Sequence, residues 1–372
     1  MQVLPSFESV EFNTLMFWSE SELTELQASH VRQRIGREKA DKDFRRFVIP
    51  FIRDNEAIFR MNDSNRMSDE EIMRLSHVVA TTISAYAFDL EKEEEDESSE
   101  DEEGEDGWVE DIPQPHIMGM VPFADLLNSD AEFNAHLAHL SDRLEMTSLR
   151  DIKAGEEILN YYGPNPNGDL LRRYGYTSPK HSRYDVVEFE WGNVKDICSI
   201  RLGELGFDDE VDFIVKSYGL FDDEEVFTLE RDFEGPDDTG LFRAEAKFTR
   251  CPDPLANILQ EAVHSTMSRP IEDERKVKEM ILRLFRDLLA VRIAEYPTTK
   301  AEDEQLLPQS SGRLRMAIQV RLGEKALLYE AFKWTLEKLK KYEPPVVPAQ
   351  ANGHRTTGQS SNSNRQKRQR LR

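Results

Sequence analysis

Two short segments decide the fold of this chain: Met120-Val-Pro-Phe-Ala-Asp-Leu-Leu-Asn-Ser-Asp130 and Asp151-Ile-Lys-Ala-Gly-Glu-Glu-Ile-Leu-Asn-Tyr-Tyr-Gly163. The first segment ends its apolar run in Asn128, and a second asparagine, Asn134, follows six residues later. The second segment opens with a charged turn and continues as a short strand that leads to Tyr162. Either segment alone is a weak signal. Both in this order, about thirty residues apart, are a strong signal.

Length and cysteine count limit the class of protein. A chain of 372 residues is long enough for about two domains, each with its own core. Cys198 and Cys251 are its only cysteines, which excludes a disulfide scaffold and a four-cysteine zinc site and indicates a reducing compartment. The amino terminus has no signal segment, and no apolar run approaches ~18 residues. We therefore expect a soluble intracellular protein without a membrane partner.

The charge of the chain is strongly negative and uneven. The net charge is −24, and residues 91–106 contain twelve acidic residues and one lysine. The last eight residues, 365–372, carry five basic side chains. Because nucleic-acid binding depends on counterion release by basic surfaces, the acidic body argues against direct nucleic-acid contact. It favours basic protein partners such as histone tails or ribosomal proteins.

Local signals predict a mostly helical chain with short strands in the middle. Capping-box spacing predicts helices that begin after Ser19 and Ser68, and Pro50 is expected to bend or end its helix. Strand character is expected at 186–191 and again at 241–248. Apolar stripes at helical spacing dominate the carboxy-terminal half.

The order of the two segments resembles the carboxy-terminal half of a SET-domain protein-lysine methyltransferase. Agreement extends to Ser84-Ala-Tyr-Ala-Phe88, Asp169-Leu-Leu-Arg-Arg-Tyr-Gly-Tyr176 and Met316-Ala-Ile-Gln-Val-Arg-Leu-Gly-Glu-Lys325. The last of these resembles the substrate-binding domain of the Rubisco large-subunit methyltransferase. Within that branch, the chain is similar to fungal members that act on a protein of the large ribosomal subunit.

The resemblance implies an α+β fold in which a SET domain precedes an α-helical substrate-binding domain. The expected organisation is a helical insert of the SET domain at 1–90, an acidic disordered loop at 91–107, the carboxy-terminal half of the SET domain at 108–180, the helical substrate-binding domain at 181–343 and a disordered basic tail at 344–372. Family members open with strands that carry a Gly-x-Gly segment. No Gly-x-Gly occurs in this sequence, so these strands and half of the cofactor site are expected to be missing, which leaves the activity of the chain as given open.

The resemblance also implies methyl transfer from S-adenosylmethionine to a lysine, with no metal. Tyr162, which precedes Gly163, corresponds to the catalytic tyrosine. The implied cofactor-binding residues are Tyr86, Asn128, Ser129 and Tyr162, and the implied substrate-binding residues are Ala87, Asp89 and Asn160. Ser129 stands where the family usually has histidine, and serine is tolerable there because that position acts largely through its backbone.

Plainer roles remain open for several of these residues. Tyr86 lies on an apolar helical face and could pack in the core, and Asn128 could simply form a turn. Tyr161, on the opposite strand face from Tyr162, is expected to be structural, and Asn134 to support the crossing of the two segments. His136 and His139 lie three residues apart without a second ligand pair, which is ordinary surface placement.

Two rival functions follow from the same features. One is a truncated, inactive SET-like module that binds a basic partner, and the other is an acidic histone-binding or chaperone-like protein. We expect a monomer that acts on a basic protein. The resemblance implies that this protein is ribosomal. The basic tail is either a nuclear import signal or a solvated segment, and the resemblance favours the nucleus, with cytoplasm as a second location.

Overall fold

The computed structural model of the protein describes residues 11–59, 65–90, 117–140, 143–203, 226–265 and 273–343. The acidic run and the basic tail that the sequence predicts to be disordered lie outside these ranges. None of the helices in the described ranges is both long and apolar enough to cross a membrane.

The fold is α+β, with helices at both ends of the chain and short strands between them. The helices are α1 (Glu20–Thr24), α2 (Arg37–Asp43), α3 (Ile49–Asp54), α4 (Asp69–Tyr86), α5 (Asn167–Tyr174), α6 (Trp191–Gly203), α7 (Asp253–Ser265), α8 (Glu274–Ala294), α9 (Lys300–Leu306) and α10 (Gly312–Leu339). The strands are β1 (Ala87–Leu90), β2 (Ile117–Met120), β3 (Ala135–His139), β4 (Leu144–Ser148), β5 (Val187–Glu190) and β6 (Val226–Leu229).

Both predicted capping boxes are present. The side chain of each serine, Ser19 and Ser68, accepts a hydrogen bond from the backbone amide three residues later. The side chain of the glutamate at that later position accepts a hydrogen bond from the backbone amide of the serine. Pro50 lies in the first turn of α3, directly after a π-helical turn at Phe44–Val48. The helical path therefore adapts before the proline and continues, because a proline in a first turn removes no intrahelical bond.

The strands of the described ranges form three two-stranded antiparallel sheets, β1–β2, β3–β4 and β5–β6. The strand expected at 186–191 is confirmed as β5. The strand expected at 241–248 is wrong, because this segment contributes only one isolated bridge, between Lys247 and Asp232. Within the described ranges β5 pairs with β6, and the segment at 241–248 forms no continuous ladder with another strand.

Helix α10 connects two apolar cores. Its carboxy-terminal half packs with β5, β6, α6, α7 and α8 around Phe189, Phe227, Leu259, Phe285 and Leu328. Its amino-terminal half packs against the beginning of the chain and α5. That smaller core consists of Leu15, Trp18, Leu23, Leu26, Val31, Leu171, Ala317 and Val320. One helix thus ties the amino-terminal segment to the carboxy-terminal helices.

A buried ionic cluster strengthens this junction. The carboxylate of Asp303 accepts from the guanidinium of Arg321 at 2.9 Å and from the ammonium of Lys325 at 2.6 Å. Lys325 also reaches the side chain of Gln27 at 3.2 Å. All three charged side chains are at most 2 % exposed, so each depends on the others to offset the loss of water.

The apolar stripe of α4 is not a core face in the described ranges. Leu75, Val79, Ile83 and Tyr86 are between 37 % and 48 % exposed. They recur at helical spacing on one side of the helix, and only Ile72 and Val78 of this helix are buried. A large exposed apolar surface therefore lies next to Tyr86, at the end of α4.

Candidate active site

The asparagine segment and the tyrosine segment cross, as the resemblance implies. The amide of Asn160 donates to the carbonyl of Asn128 at 2.8 Å, and the amide of Asp130 donates to the carbonyl of Asn160 at 3.3 Å. These bonds form a short parallel bridge between Ser129 and Asn160. Two segments separated by a hairpin are thereby held edge to edge at the backbone.

Asn134 fastens the crossing from the side. It is 1 % exposed, and its Nδ2 donates to the carbonyl of Glu157 at 2.8 Å while its Oδ1 accepts from the amide of Leu159 at 2.8 Å. Its predicted supporting role is confirmed. The carboxylate of Glu156 accepts from the amide of Lys153 at 3.1 Å and so caps the charged turn that opens the tyrosine segment.

Ser129 links the crossing to the tyrosine segment through both its side chain and its backbone. Its Oγ accepts from the amide of Tyr162 at 3.0 Å, and its carbonyl accepts from the hydroxyl of Tyr176 at 3.4 Å. Ser129 is 8 % exposed. A small hydroxyl therefore satisfies a backbone donor in a space that the fold leaves nearly closed.

Tyr161 and Tyr162 pack against different parts of the protein. The ring of Tyr161 stacks on Phe133 with centroids 4.8 Å apart, and its hydroxyl donates to that of Tyr184 at 3.2 Å. The hydroxyl of Tyr162 donates to the carbonyl of Leu127 at 2.6 Å, and its ring lies 5.0 Å from that of Tyr174. Tyr161 is thus a packing tyrosine and Tyr162 faces the asparagine segment, although the expected short strand is present only as the isolated bridge at Asn160.

The electrostatic setting keeps Tyr162 neutral. Burial raises the pKa of its hydroxyl well above 10, and the neighbouring hydroxyls of Tyr176, Tyr174 and Tyr86 and the carboxyl of Asp125 raise it further. Near neutral pH the group is a phenol, so it cannot act as a base there. Its proton is committed to the Leu127 carbonyl, which leaves the oxygen lone pairs free to accept from another group.

The end of α4 brings Tyr86 toward the same site. Tyr86 is the last residue of that helix and is 48 % exposed, so in the described ranges it is not a core residue. Ala87 begins β1 and pairs with Met120, and the backbone of Asp89 pairs with Met118. The predicted substrate positions Ala87 and Asp89 therefore lie on a strand that continues from Tyr86 and runs beside the start of the asparagine segment.

Asn128 and Asn160 lie in different surroundings. The side chain of Asn128 is exposed and donates to the carboxylate of Glu157 at 2.6 Å, while its carbonyl takes part in the crossing. Asn160 is 5 % exposed. The side chain of Asn160 thus lies inside the crossing rather than on an open surface, and its predicted substrate contact stays a prediction.

Two aromatic residues of the site were not singled out from the sequence. Tyr174 packs on Tyr162, and Tyr176 bonds Ser129 with a pKa that burial raises to about 12. They flank Gly175, whose φ of +77° ends α5 and whose Cα faces Asn13 and Thr14 too closely for a side chain. The signal was present as an aromatic pair around a helix-ending glycine, but only the fold directs it toward Tyr162.

Histidine, cysteine, aspartate and glutamate side chains do not gather into a metal-binding group of three or more anywhere in the described ranges. The groups that the structure does bring together around Tyr162 are hydroxyl groups, backbone carbonyls and aromatic rings. Such a set can orient and desolvate a reacting group.

Two family models match this chain in succession. The SET domain model matches residues 32–163, and the Rubisco LSMT substrate-binding model matches residues 219–328. The first match ends at Gly163, directly after Tyr162. The second match covers β6, α7, α8, α9 and α10 as far as Leu328.

Two named relatives are similar to this chain in sequence. The chain is 36 % identical over 188 residues to ribosomal lysine N-methyltransferase 4 of Saccharomyces cerevisiae, which covers 50 % of this chain and 36 % of the relative. It is 26 % identical over 341 residues to N-lysine methyltransferase SETD6 of Mus musculus, covering 86 % of this chain and 67 % of the relative. The chain thus aligns with about a third of the length of the yeast protein and about two thirds of the mouse protein.

Solved structures share the fold. A crystal structure of the SET domain of LSMT bound to lysine and AdoHcy superposes with a TM-score of 0.54 at 19 % identity, covering 89 % of this chain and 69 % of that one. Rubisco LSMT bound to AdoMet gives 0.51 at 18 % identity, covering 90 % and 70 %. The chain therefore contains, in this order, a segment that matches the SET domain model and a segment that matches the Rubisco LSMT substrate-binding model, within a fold shared with these structures.

Proposed function

We propose that this chain is an S-adenosylmethionine-dependent protein-lysine N-methyltransferase. The observation that carries the proposal is the setting of the Tyr162 hydroxyl, which donates to the carbonyl of Leu127 at 2.6 Å and lies among aromatic rings. A partly buried phenol with free lone pairs, held beside the crossing of the two segments, suits the orientation of an amine. The names of the yeast and mouse relatives support the same reaction.

The surface beside Tyr162 has a composition that fits the cofactor. Tyr86, Met118 and Met120 expose 48 %, 61 % and 48 % of their surface, and an adenosyl group needs such apolar and aromatic contacts. Tyr86 and Tyr162 would hold the part of the cofactor near the reacting atoms, and the backbone at Asn128 and Ser129 would face the adenine. When bound, the cofactor supplies a methyl group on a positively charged sulfur.

The residues of the site would act on the amine. A lysine ammonium must lose a proton first, which costs roughly 4–5 kcal/mol at pH 7 from a reference pKa of ~10.4, and an aromatic, desolvated channel reduces this cost by disfavouring the charged form. Because Tyr162 stays protonated, its part is to accept a hydrogen bond from the neutral amine and weak CH···O contacts from the methyl group. Alignment of the reacting atoms is then the main source of rate enhancement.

We further propose a basic protein of the large ribosomal subunit as the substrate. The net charge of −24 favours encounter with a basic protein. The yeast relative is named a ribosomal lysine N-methyltransferase. On this proposal, association slows as salt rises, because screening shortens the reach of the surface charge.

The proposed location is the nucleus, where the five basic side chains of residues 365–372 would serve as an import signal. A fluorescent fusion that lacks these eight residues should shift toward the cytoplasm relative to the full chain. An unchanged nuclear signal would exclude a targeting role for the tail.

The test of the activity is methyl transfer by the full chain to isolated proteins of the large ribosomal subunit, followed over a concentration series of methyl-labelled S-adenosylmethionine. We expect label on lysine in one or a few basic proteins, and its loss in Tyr162→Phe. Capture of such a protein without any label at any cofactor concentration would instead support a binding module. Label on non-lysine residues would exclude the proposed chemistry.

A further inference from the structure

His181 is a completely buried histidine near the crossing, with 0 % exposure. Its Nδ1 lies 2.9 Å from the carbonyl oxygen of Asn165. A carbonyl can only accept, so Nδ1 carries the proton. The other ring nitrogen, Nε2, has no hydrogen-bond partner within the described part of the chain. The geometry therefore assigns a neutral imidazole with its proton on Nδ1.

Asn165 connects His181 to the tyrosine segment. Its Nδ2 donates to the carbonyl of Tyr162 at 2.5 Å, and its amide donates to the carbonyl of Gly163 at 2.9 Å. Gly163 has a φ of +94°, a conformation that other residues rarely adopt. The chain therefore reverses sharply after Tyr162, and Asn165 holds both ends of this turn.

We propose that His181 is a positioning residue, which fixes Tyr162 through Asn165 for as long as the imidazole is neutral. The inference rests on the proposed role of Tyr162 in methyl transfer. His181 is 19 positions from Tyr162 in sequence, and it belongs to the segment that leads into the substrate-binding domain. The orientation of the catalytic tyrosine is thereby set from the following domain as well as from the asparagine segment.

The surroundings of the ring favour the neutral form. Burial lowers the pKa of His181, while the Asn165 carbonyl and the Asp130 carboxylate act to raise it and the Lys180 ammonium acts to lower it. Asp130 and Lys180 lie 3.5 Å apart as an ion pair, so their charges partly offset each other. The remaining close neighbour is the ring of Tyr184, edge-on with centroids 5.7 Å apart.

Protonation would add an N–H at Nε2 with no acceptor and would bury a charge. Because the pKa of the folded form is the lower one, the contribution of His181 is present at pH values above the ordinary histidine pKa of about 6.5. It is lost as the pH falls through the lower pKa of the folded form. The turn at Gly163 should loosen at that lower pH, where the folded imidazole itself takes up a proton.

The test compares two substitutions in the full chain. His181→Asn keeps a donor near the position of Nδ1 but cannot titrate, whereas His181→Leu removes the donor. We expect His181→Leu to lower kcat by about tenfold, the equivalent of one hydrogen bond, with little change in KM. His181→Asn should keep most of kcat at neutral pH. Its kcat should no longer show the decrease at acidic pH that protonation of the imidazole causes in the unmodified chain.

A second readout does not depend on activity. Hydrogen exchange at the amides of Tyr162 and Asn165 should accelerate in His181→Leu and stay slow in His181→Asn. His30→Leu is the matched control, because His30 is also mostly buried with a lowered pKa but pairs with Glu188 and Glu190 instead. It should reduce the melting temperature without changing exchange at Tyr162.

The outcomes separate the two proposals. If the unmodified chain transfers no methyl group, the proposed function fails, and hydrogen exchange alone decides the role of His181. If His181→Leu leaves both kcat and exchange at Tyr162 unchanged, the positioning role is wrong whatever the activity of the chain. Equal losses in His181→Leu and His30→Leu would show a general stability effect and would also exclude it.

Discussion

The hydroxyl of Ser129 accepts a hydrogen bond from the backbone amide of Tyr162, with 3.0 Å between Oγ and N. This contact joins the last turn of the asparagine segment to the residue proposed to orient the amine. The resemblance in sequence gave this position a backbone role. The structure adds a side-chain role that a histidine ring at the same position would perform with different geometry.

Removal of that hydroxyl should weaken both the fold and the site. In Ser129→Ala the amide of Tyr162 loses its acceptor in a nearly closed space, which costs about 1–3 kcal/mol of folding free energy, and kcat should fall several-fold. Denaturant unfolding and methyl-transfer kinetics measure the two effects. Ser182→Ala removes a hydroxyl that donates to Pro179 at the surface and is the control. Wild-type kcat in Ser129→Ala would contradict the positioning role of the hydroxyl.

Tyr162→Phe and Tyr161→Phe form a matched pair, since each removes one hydroxyl from adjacent residues. We expect Tyr162→Phe to cost roughly 2–4 kcal/mol of transition-state stabilisation, by analogy with a single preorganised donor. Tyr161→Phe loses only its bond to Tyr184 and should change melting temperature more than kcat. The ratio of kcat/KM between the two variants decides whether Tyr162 is the tyrosine that orients the amine. Equal losses in the two variants would exclude this role.

Asn134→Asp tests the crossing itself. The substitution keeps the shape but replaces the donor that faces the Glu157 carbonyl with an acceptor, and it adds a charge at a position that is 1 % exposed. A destabilisation of about 2–4 kcal/mol is expected, since an unpaired buried group bears its full desolvation cost. Asn55→Asp is the control, because the amide of Asn55 makes a similar bond to the Phe51 carbonyl at the surface. Similar melting temperatures for the two variants would rule out the supporting role of Asn134.

The buried cluster of Asp303, Arg321 and Lys325 should make stability depend on acid pH. Burial acts to raise the pKa of Asp303, but hydrogen bonds from Arg321 and Lys325 outweigh it and lower the pKa below its usual value. The contribution is therefore complete above about pH 4, the pKa of an unfolded aspartate, and is lost as the pH falls through the lower folded value.

Asp303→Ala leaves two buried cations without a partner and should cost about 3–5 kcal/mol at pH 7. Unfolding experiments across the acid range should show a smaller loss of stability on acidification in this variant than in the unmodified chain. Asp253→Ala, which removes an exposed partner of Arg250, provides the comparison. A parallel pH dependence in Asp303→Ala and the unmodified chain would contradict the linkage.

Two helical glycines should respond to alanine with opposite signs. A Cβ at Gly323 of α10 would overlap the carboxyl of Asp185, a fully buried group whose pKa burial raises to about 8, so Gly323→Ala should destabilise by about 1–3 kcal/mol. Gly192 of α6 has no atom within 4 Å of the corresponding point. Gly192→Ala should stabilise the protein by up to about 1 kcal/mol. Thermal unfolding of both variants tests this difference, and a stabilised Gly323→Ala would show that Asp185 can move away.

Local sequence determined the features that depend on neighbouring residues alone. The two capping boxes, the end of α5 at Gly175 and the turn at Lys153–Glu156 were all predictable, because each is a hydrogen bond or a backbone conformation within one turn of chain. The resemblance to a known family implied that the asparagine and tyrosine segments meet. The expected alternation of neighbouring side chains separated Tyr161 from Tyr162, although the segment forms only an isolated bridge at Asn160.

Tertiary structure decided which of several equivalent patterns acquires a partner. The segment at 241–248 has strand composition but little pairing, whereas β6 pairs with β5, since a strand is stabilised by its neighbour and not by its own residues. The apolar stripe of α4 has helical spacing, yet it lies exposed beside Tyr86. Tyr174, Tyr176 and His181 reach Tyr162 only through the fold, because hydrogen bonds between distant segments leave no periodicity in the sequence.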